Sequence, residues 1–152
     1  MRREPAPHRL RTLPSWLLNQ AAIPTQRLVT DSLATAGARR HHYSTLAALE
    51  QFGPESQVDL GRRCGIDRSD MVATLNELAD IGALRRKPDP ADARRNLVTI
   101  TAKGVRHLHQ LDAIIERTQD ELLAPLSPPE QIDLVRLLTK LVDHHLDPTP
   151  AD

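Results

Sequence analysis

The sequence predicts a mostly helical domain broken once by a short β-hairpin, and three observations carry that expectation. Leucine outnumbers valine and isoleucine in an apolar fraction of 39%, and only Trp16, Tyr43 and Phe52 are aromatic, a balance that favours helix over strand. Glycine and proline cut the middle of the chain into blocks in which apolar residues recur at helical spacing. One stretch, residues 84–100, leaves that period and alternates as a strand does.

The first dozen residues and the tail after Leu146 are rich in proline and charge and read as loose ends, with Arg2, Arg3, Arg9 and Arg11 making the start basic. From Pro14 to Ala36, the residues Leu17, Ala21, Leu28 and Leu33 approximate a helical stripe. Pro14 suits its first turn and Gly37 its stop. Pro24 inside this block removes a backbone donor and crowds the preceding turn, which predicts a kink or two shorter helices. A helix over His42–Gln51 follows, with Leu46, Leu49 and Phe52 inward and Gly53-Pro54 as its end.

Ser56 opens a short helix carrying Val58, Leu60 and Cys64. Its hydroxyl suits a cap, and Asp59 suits the positive end of the helix. Gly65 stops that helix, and Asp67 starts another in which Met71, Leu75, Leu78 and Ala79 repeat until Gly82. Two short helices joined by a tight glycine turn form a helix-turn-helix unit. Leu84–Lys87 and Asn96–Ile100 then flank the loop Pro88-Asp89-Pro90-Ala91-Asp92, and a hairpin placed there, from Arg85 to Thr99, is a wing. Thr101 caps a long helix with Val105, Leu108, Leu111, Ile115 and Leu122 on one stripe. Ser127-Pro128-Pro129-Glu130 starts the last helix with a capping box, and Leu134, Leu137, Leu138, Leu141 and Val142 form its apolar face.

The fold class is therefore mostly α, an α+β winged helix: a winged helix-turn-helix with a two-stranded wing, flanked by helical regions at both ends. Residues 41–100 are the winged unit, and 14–37 with 101–146 the helical remainder of a single domain spanning 1–152.

Twenty basic and twenty acidic residues leave no net charge, so composition alone names no nucleic-acid partner. Charge is uneven, however, with Arg85, Arg86, Lys87, Arg94 and Arg95 crowding the wing. Scarce aromatics argue against a single-strand binder that stacks bases. Cys64 is the lone cysteine, which excludes an intramolecular disulfide and an all-cysteine metal site. Beside Arg62 and Arg63 it fits either a thiol of lowered pKa or a small core residue. His41-His42 and His144-His145 are adjacent pairs pointing about 100° apart on a helix, so neither chelates alone and no metal is expected. No apolar run nears the roughly 20 residues of a membrane span, and no apolar segment follows the basic start, so a cytoplasmic location is expected, with no membrane partner. A glycine-rich phosphate loop, a nucleophile elbow and a paired acid–base set are all missing, which points away from an enzyme and from any cofactor.

The wing carries the most chemistry. Arg94 and Arg95 project from a hairpin, and guanidinium groups suit phosphate oxygens and narrow minor grooves. Asp92, two residues before Arg94, is placed to accept from that guanidinium and fix its direction. A solvated charged turn would contain the same residues, and the hairpin by itself does not separate the two.

The run Asp89-Pro90-Ala91-Asp92-Ala93-Arg94-Arg95-Asn96, continued by Leu97-Val98-Thr99-Ile100-Thr101-Ala102-Lys103-Gly104, resembles the signature of the MarR (multiple antibiotic resistance regulator) family. So does the stretch from Leu60 through Cys64-Gly65-Ile66-Asp67-Arg68-Ser69 to Leu78, Gly82 and Leu84. The resemblance runs from about Trp16 to His145. It implies a DNA-binding transcriptional regulator, a ligand-responsive repressor that binds a pseudo-palindromic operator in double-stranded DNA as a homodimer. The dimer would be built from the N- and C-terminal helices. Arg68, Ser69 and Asp70 would open the recognition helix, with Thr74 further along its exposed side, and Arg94 would enter the minor groove. Family members commonly carry Thr where Asp70 stands and Arg where Ala73 stands, so two good DNA contacts are replaced by an acid and a methyl group. Small aromatic acids or phenols are the implied effectors, with Trp16, His41, His42, Tyr43 and His107 as candidates by position. The rival reading is a winged-helix interaction module that lacks sequence-specific DNA binding, supported by Ala73 and the zero net charge.

Overall fold

The computed structural model describes residues 4–146, so Arg2, Arg3 and the tail after Leu146 lie outside the described residues. The elements are α1 (His8–Arg11), α2 (Pro14–Ala34), α3 (Arg40–Phe52), β1 (Glu55–Ser56), α4 (Gln57–Cys64), α5 (Arg68–Asp80), β2 (Leu84–Pro88), β3 (Asn96–Ile100), α6 (Ala102–Leu123) and α7 (Pro128–Leu146). They form two compact units, one ending at Thr118 and the other beginning at Gln119 within α6. The fold is the expected mostly helical winged helix, with a small antiparallel sheet in the order β1-β3-β2.

In the first unit Leu33, Leu46, Leu49, Leu60, Met71, Leu75, Leu78, Val98, Leu108 and Leu111 form one buried cluster. Each such side chain contributes about 1.5–3 kcal/mol when fully removed from water. The cluster draws on α2, α3, α4, α5, β3 and α6, so the helix-turn-helix and the base of the wing share a single core.

The punctuation in the sequence marks most of the boundaries. Ser56 accepts from the Asp59 N–H to start α4, and Gly65, in a left-handed conformation at φ 63°, ends it. Asp67 accepts from the Asp70 N–H to start α5, and Gly82 turns the chain toward β2 at φ 74°. Only glycine adopts these conformations without strain.

Several expectations fail for identifiable reasons. The start of the chain is not wholly irregular, since His8–Arg11 makes one helical turn. Of the two outcomes expected at Pro24, the pair of shorter helices is not seen, since α2 runs unbroken over 21 residues. A helix that long can lose one backbone bond, and Thr25 donates its hydroxyl back to the Ala21 carbonyl at 2.7 Å. Phe52 is not inward but 50% exposed, with the Arg63 guanidinium 3.8 Å above its ring centre. Val58 is exposed as well, because a helix of eight residues turns only Leu60 fully inward. β1 was not legible at all. Glu55 and Ser56 pair with Val98 and Leu97, and two residues are too few to show a period.

The junction after the wing is tight. The Thr101 hydroxyl donates to the Gly82 carbonyl at 2.6 Å and accepts from the Gly104 N–H at 3.0 Å. The Thr101 N–H reaches the Ala83 carbonyl, also at 3.0 Å. A Cβ on Gly104 would run into that same carbonyl oxygen and come within 2.8 Å of Ile100 Cγ1. The Thr-x-x-Gly spacing is thus a cap joined to a close approach.

The second unit holds the end of α6 and all of α7. Ser127 and Glu130 form the expected capping box, with the Ser127 N–H on Glu130 Oε2 at 2.7 Å and the Glu130 N–H on Ser127 Oγ at 3.4 Å. Gln131 donates its amide to the Leu123 and Leu126 carbonyls that end the preceding turn. α7 buries none of its residues completely, and Ile132, Val135, Leu137, Leu141, Val142 and Leu146 are exposed. No helix among the described residues is long and apolar enough to cross a membrane.

Candidate nucleic-acid interface

α5 is aimed by its inner face. Met71, Leu75 and Leu78 recur at helical spacing and are fully buried, which fixes the rotation of the helix. Arg68, Ser69 and Asp70 consequently stand exposed on its first turn. Asp67 accepts from both the Asp70 N–H (2.9 Å) and the Ser69 hydroxyl (2.8 Å), and these bonds hold its carboxyl below the ordinary range.

Thr74 requires a correction. It is 0% exposed and lies with Met71, Leu75 and Leu78 on the core side, so it does not face outward along α5. Its spacing from Met71 and Leu78, three and four residues, already places it on that face. Its Oγ1 is buried with no hydrogen-bond partner among the described residues.

The wing pairs β2 with β3 in antiparallel register, Leu84 opposite Ile100, Arg86 opposite Val98 and Pro88 opposite Asn96. Its tip is closed by two carboxylates acting on backbone. Asp89 accepts from the Ala91 N–H at 2.8 Å, and Asp92 accepts from the Arg94 N–H at 3.0 Å. Asp92 therefore shapes the loop rather than binding the Arg94 guanidinium. An Asx turn two residues long satisfies the nearest N–H first. The Arg94 side chain is exposed, as are those of Arg85 and Lys87, and none of the three has a side-chain partner among the described residues.

Two other wing arginines are engaged. Arg95 folds back onto the start of α4, donating to Ser56 Oγ at 3.1 Å and to Asp59 Oδ2 at 3.4 Å. Arg86 donates to Asn76 Oδ1 on α5 at 2.9 Å. Together they tie the hairpin to both helices of the helix-turn-helix. The sequence reading missed these anchors, although Asn76 sits two turns past Ser69 on the same outward face and could have been found by that spacing.

The five candidate ligand residues are spread over α2 (Trp16), α3 (His41, His42 and Tyr43) and α6 (His107). Trp16 is half-buried in the first turn of α2. His41 lines a small cleft with Thr30, Ala34, Ala38, Arg39 and Arg40. His42 is buried and committed. Its Nδ1 accepts from the Arg39 N–H at 3.1 Å, and its Nε2 meets Glu77 Oε2 of α5 at 2.6 Å. An accepting Nδ1 leaves the proton on Nε2, so this imidazole is neutral, and burial lowers its pKa despite Glu77. His42 thus serves as a structural link from α3 to α5, with Arg39 also paired to Glu77. The hydrogen bond to His42, and then Arg39, hold the Glu77 carboxyl below its ordinary range. His107 is close enough to His42 to disfavour its charged form. The Tyr43 hydroxyl donates to Asp112 Oδ1 on α6 at 2.7 Å, and burial followed by that bond pushes its pKa up to about 12.

Cys64 is half-buried, with its sulfur 3.6 Å from the Ser44 carbonyl. Burial raises its pKa, Glu55 adds to the rise, and Arg63 opposes it only weakly because its guanidinium is already paired with Glu55. Burial and Glu55 thus act against the activation of this thiol by its neighbouring arginines. A cavity of about 650 Å³ opens at the α4–α5 corner between Val58, Arg62, Arg68 and Met71. It contains none of the five candidate ligand residues.

Residues 37–95 match the model of the MarR family. The chain is similar to a probable transcriptional regulator from Pseudomonas aeruginosa, 30% identical over 87% of this chain and 98% of that one, with a TM-score of 0.76. It is also similar to the PcaV transcriptional regulator from Streptomyces coelicolor, solved with its natural ligand. Identity there is 29%, coverage 91% and 98%, and TM-score 0.75. A third similar structure is BpsR from Bordetella bronchiseptica, whose DNA binding is regulated by 6-hydroxynicotinic acid, at 25% identity, 91% and 99% coverage and a TM-score of 0.78.

Proposed function

The chain belongs to the MarR family of DNA-binding transcriptional regulators, and from that premise we propose that it is a homodimeric repressor of its operator. In this reading residues 41–100 hold the DNA, and residues 14–37 with 101–146 make the dimer. Repression is by occupancy, on a pseudo-palindrome whose half-sites lie about one helical turn, roughly 34–36 Å, apart.

The observation that carries the reading is the anchored wing. Arg86 and Arg95 pin the hairpin to α5 and α4, while Arg85, Lys87 and Arg94 are left with free charge and Arg68, Ser69 and Asp70 stand exposed on the first turn of α5. Arg94 enters the minor groove, Arg68 and Ser69 meet the major groove, and Asp70 chiefly supports the helix start. Arg95 anchors first and offers phosphate only its remaining donors. The exposed apolar residues of α2, among them Leu17, Leu18 and Ile23, and those of α7 support burial between two copies. An aromatic acid or phenol is the effector class, by likeness to the ligand-bound relatives, and the region of Trp16, Tyr43 and His107 its place.

Fluorescence anisotropy on duplex DNA across a salt series tests this. Affinity that falls steeply with salt and prefers one sequence is expected, and Arg94→Ala weakens it by about 1–3 kcal/mol. Weak binding indifferent to sequence would leave the interaction module, the reading that Ala73 and the zero net charge favour.

A further inference from the structure

At 100° per residue, α5 turns Met71, Thr74, Leu75 and Leu78 to the core and Ser69, Val72, Ala73 and Asn76 away from it. The two polar members of that outward face are partly spent. The Ser69 hydroxyl gives its proton to Asp67, so only its lone pairs remain. Asn76 Oδ1 accepts from Arg86, which ties that oxygen to the wing and leaves the amide N–H groups as the free donors. Ser69 offers no pair of groups of the kind that reads adenine or guanine with two hydrogen bonds, and Asn76 would have to share its oxygen with Arg86 to do so. Between them lie Val72, 39% exposed, and the methyl group of Ala73. Val72 also lines an open hollow with Asp67, Arg68 and Ser69, beside a guanidinium suited to phosphate.

Of the groups on the major-groove edges, the thymine 5-methyl is the one that an apolar surface recognises. Thymine also sets an acceptor, O4, next to that methyl, and the free Asn76 amide supplies the matching donor. Resting on the DNA-binding reading above, we propose that Val72 and Ala73 determine operator specificity by packing against thymine 5-methyl groups. Arginine or a hydroxyl at these positions would prefer other bases.

The test removes only the methyl. The protein selects its preferred duplex from a randomised pool, and each thymine of that duplex is then replaced singly by uracil. One or two replacements per half-site should weaken binding about three- to fivefold, the effect of one buried methyl group. In Val72→Ala, whose new residue is a good helix former at an exposed site, the same replacements should cost less than twofold, with an unchanged thermal midpoint. A preferred duplex indifferent to every uracil would overturn the inference and leave the DNA-binding reading standing. So would an equal penalty in wild type and Val72→Ala. A pool that yields no preferred duplex would overturn both.

Discussion

α5 and the wing sit side by side but are held by different forces. α5 is fixed by Met71, Leu75 and Leu78 in the shared core, where burial is large and without direction. Beyond Leu84 and Val98 the wing buries little, and its place is set by directed contacts: Arg86 to Asn76, Arg95 to Ser56 and Asp59, and Asp89 and Asp92 to their own loop. Damage to the first region should be felt as lost stability. Damage to the second should be felt as lost order in a hairpin on an intact body. A charged appendage can therefore vary its bases and acids while the helix beneath it keeps its angle.

The largest effect should come from the core. Leu75→Ala removes a fully buried side chain and should cost about 2–5 kcal/mol in chemical denaturation. A change below 1 kcal/mol would show that the core does not hold α5. Gly104→Ala strikes where the two regions meet, since the new methyl has no room against the Ala83 carbonyl. It should cost about 1–3 kcal/mol, and an unchanged midpoint would mean that α6 shifts freely on the wing.

A third probe is pH, acting through His42 and Glu77 on the α5 side. The pKa of His42 is lowered on folding, so the unfolded chain binds the proton first as pH falls below 6.5. The Glu77 pKa is lowered too, and folding resists its protonation below 4.5. Both signs agree: stability is full above pH 6.5 and declines on acidification. Urea midpoints should follow that course, with the His42 resonances titrating below 6.5. A midpoint that rose on acidification would overturn the neutral imidazole. The smallest effect belongs to the wing. Arg95→Ala removes an exposed ion pair and should change global stability by about 1 kcal/mol or less, while hydrogen exchange at residues 89–96 quickens.

Much of the fold was legible because its punctuation is local. Ser56, Gly65, Asp67, Gly82, Thr101 and the Ser127 box each act within three or four residues, and each marks a boundary in the structure. Contacts between distant segments were not legible. No local rule joins Arg95 to Asp59, or His42 to Glu77, across 36 and 35 residues. The outward role given to His42 failed for that reason, whereas Asp92 was misassigned locally, its carboxylate being taken by the Arg94 N–H two residues on. Thr74 is different, because the period of α5 already placed it in the core. The resemblance to relatives outweighed a spacing that was visible in the sequence.

The crowded joint at Gly104 has a mechanical consequence. Where two backbones touch with no side chain between them, there is no cushion to absorb motion, and packed interiors compress little. The first turn of α6 and the Gly82–Ala83 corner therefore act as meshed teeth rather than as a hinge. A small rotation at the head of α6 would pass undiminished into the end of α5 and the root of the hairpin, carrying both as one lever.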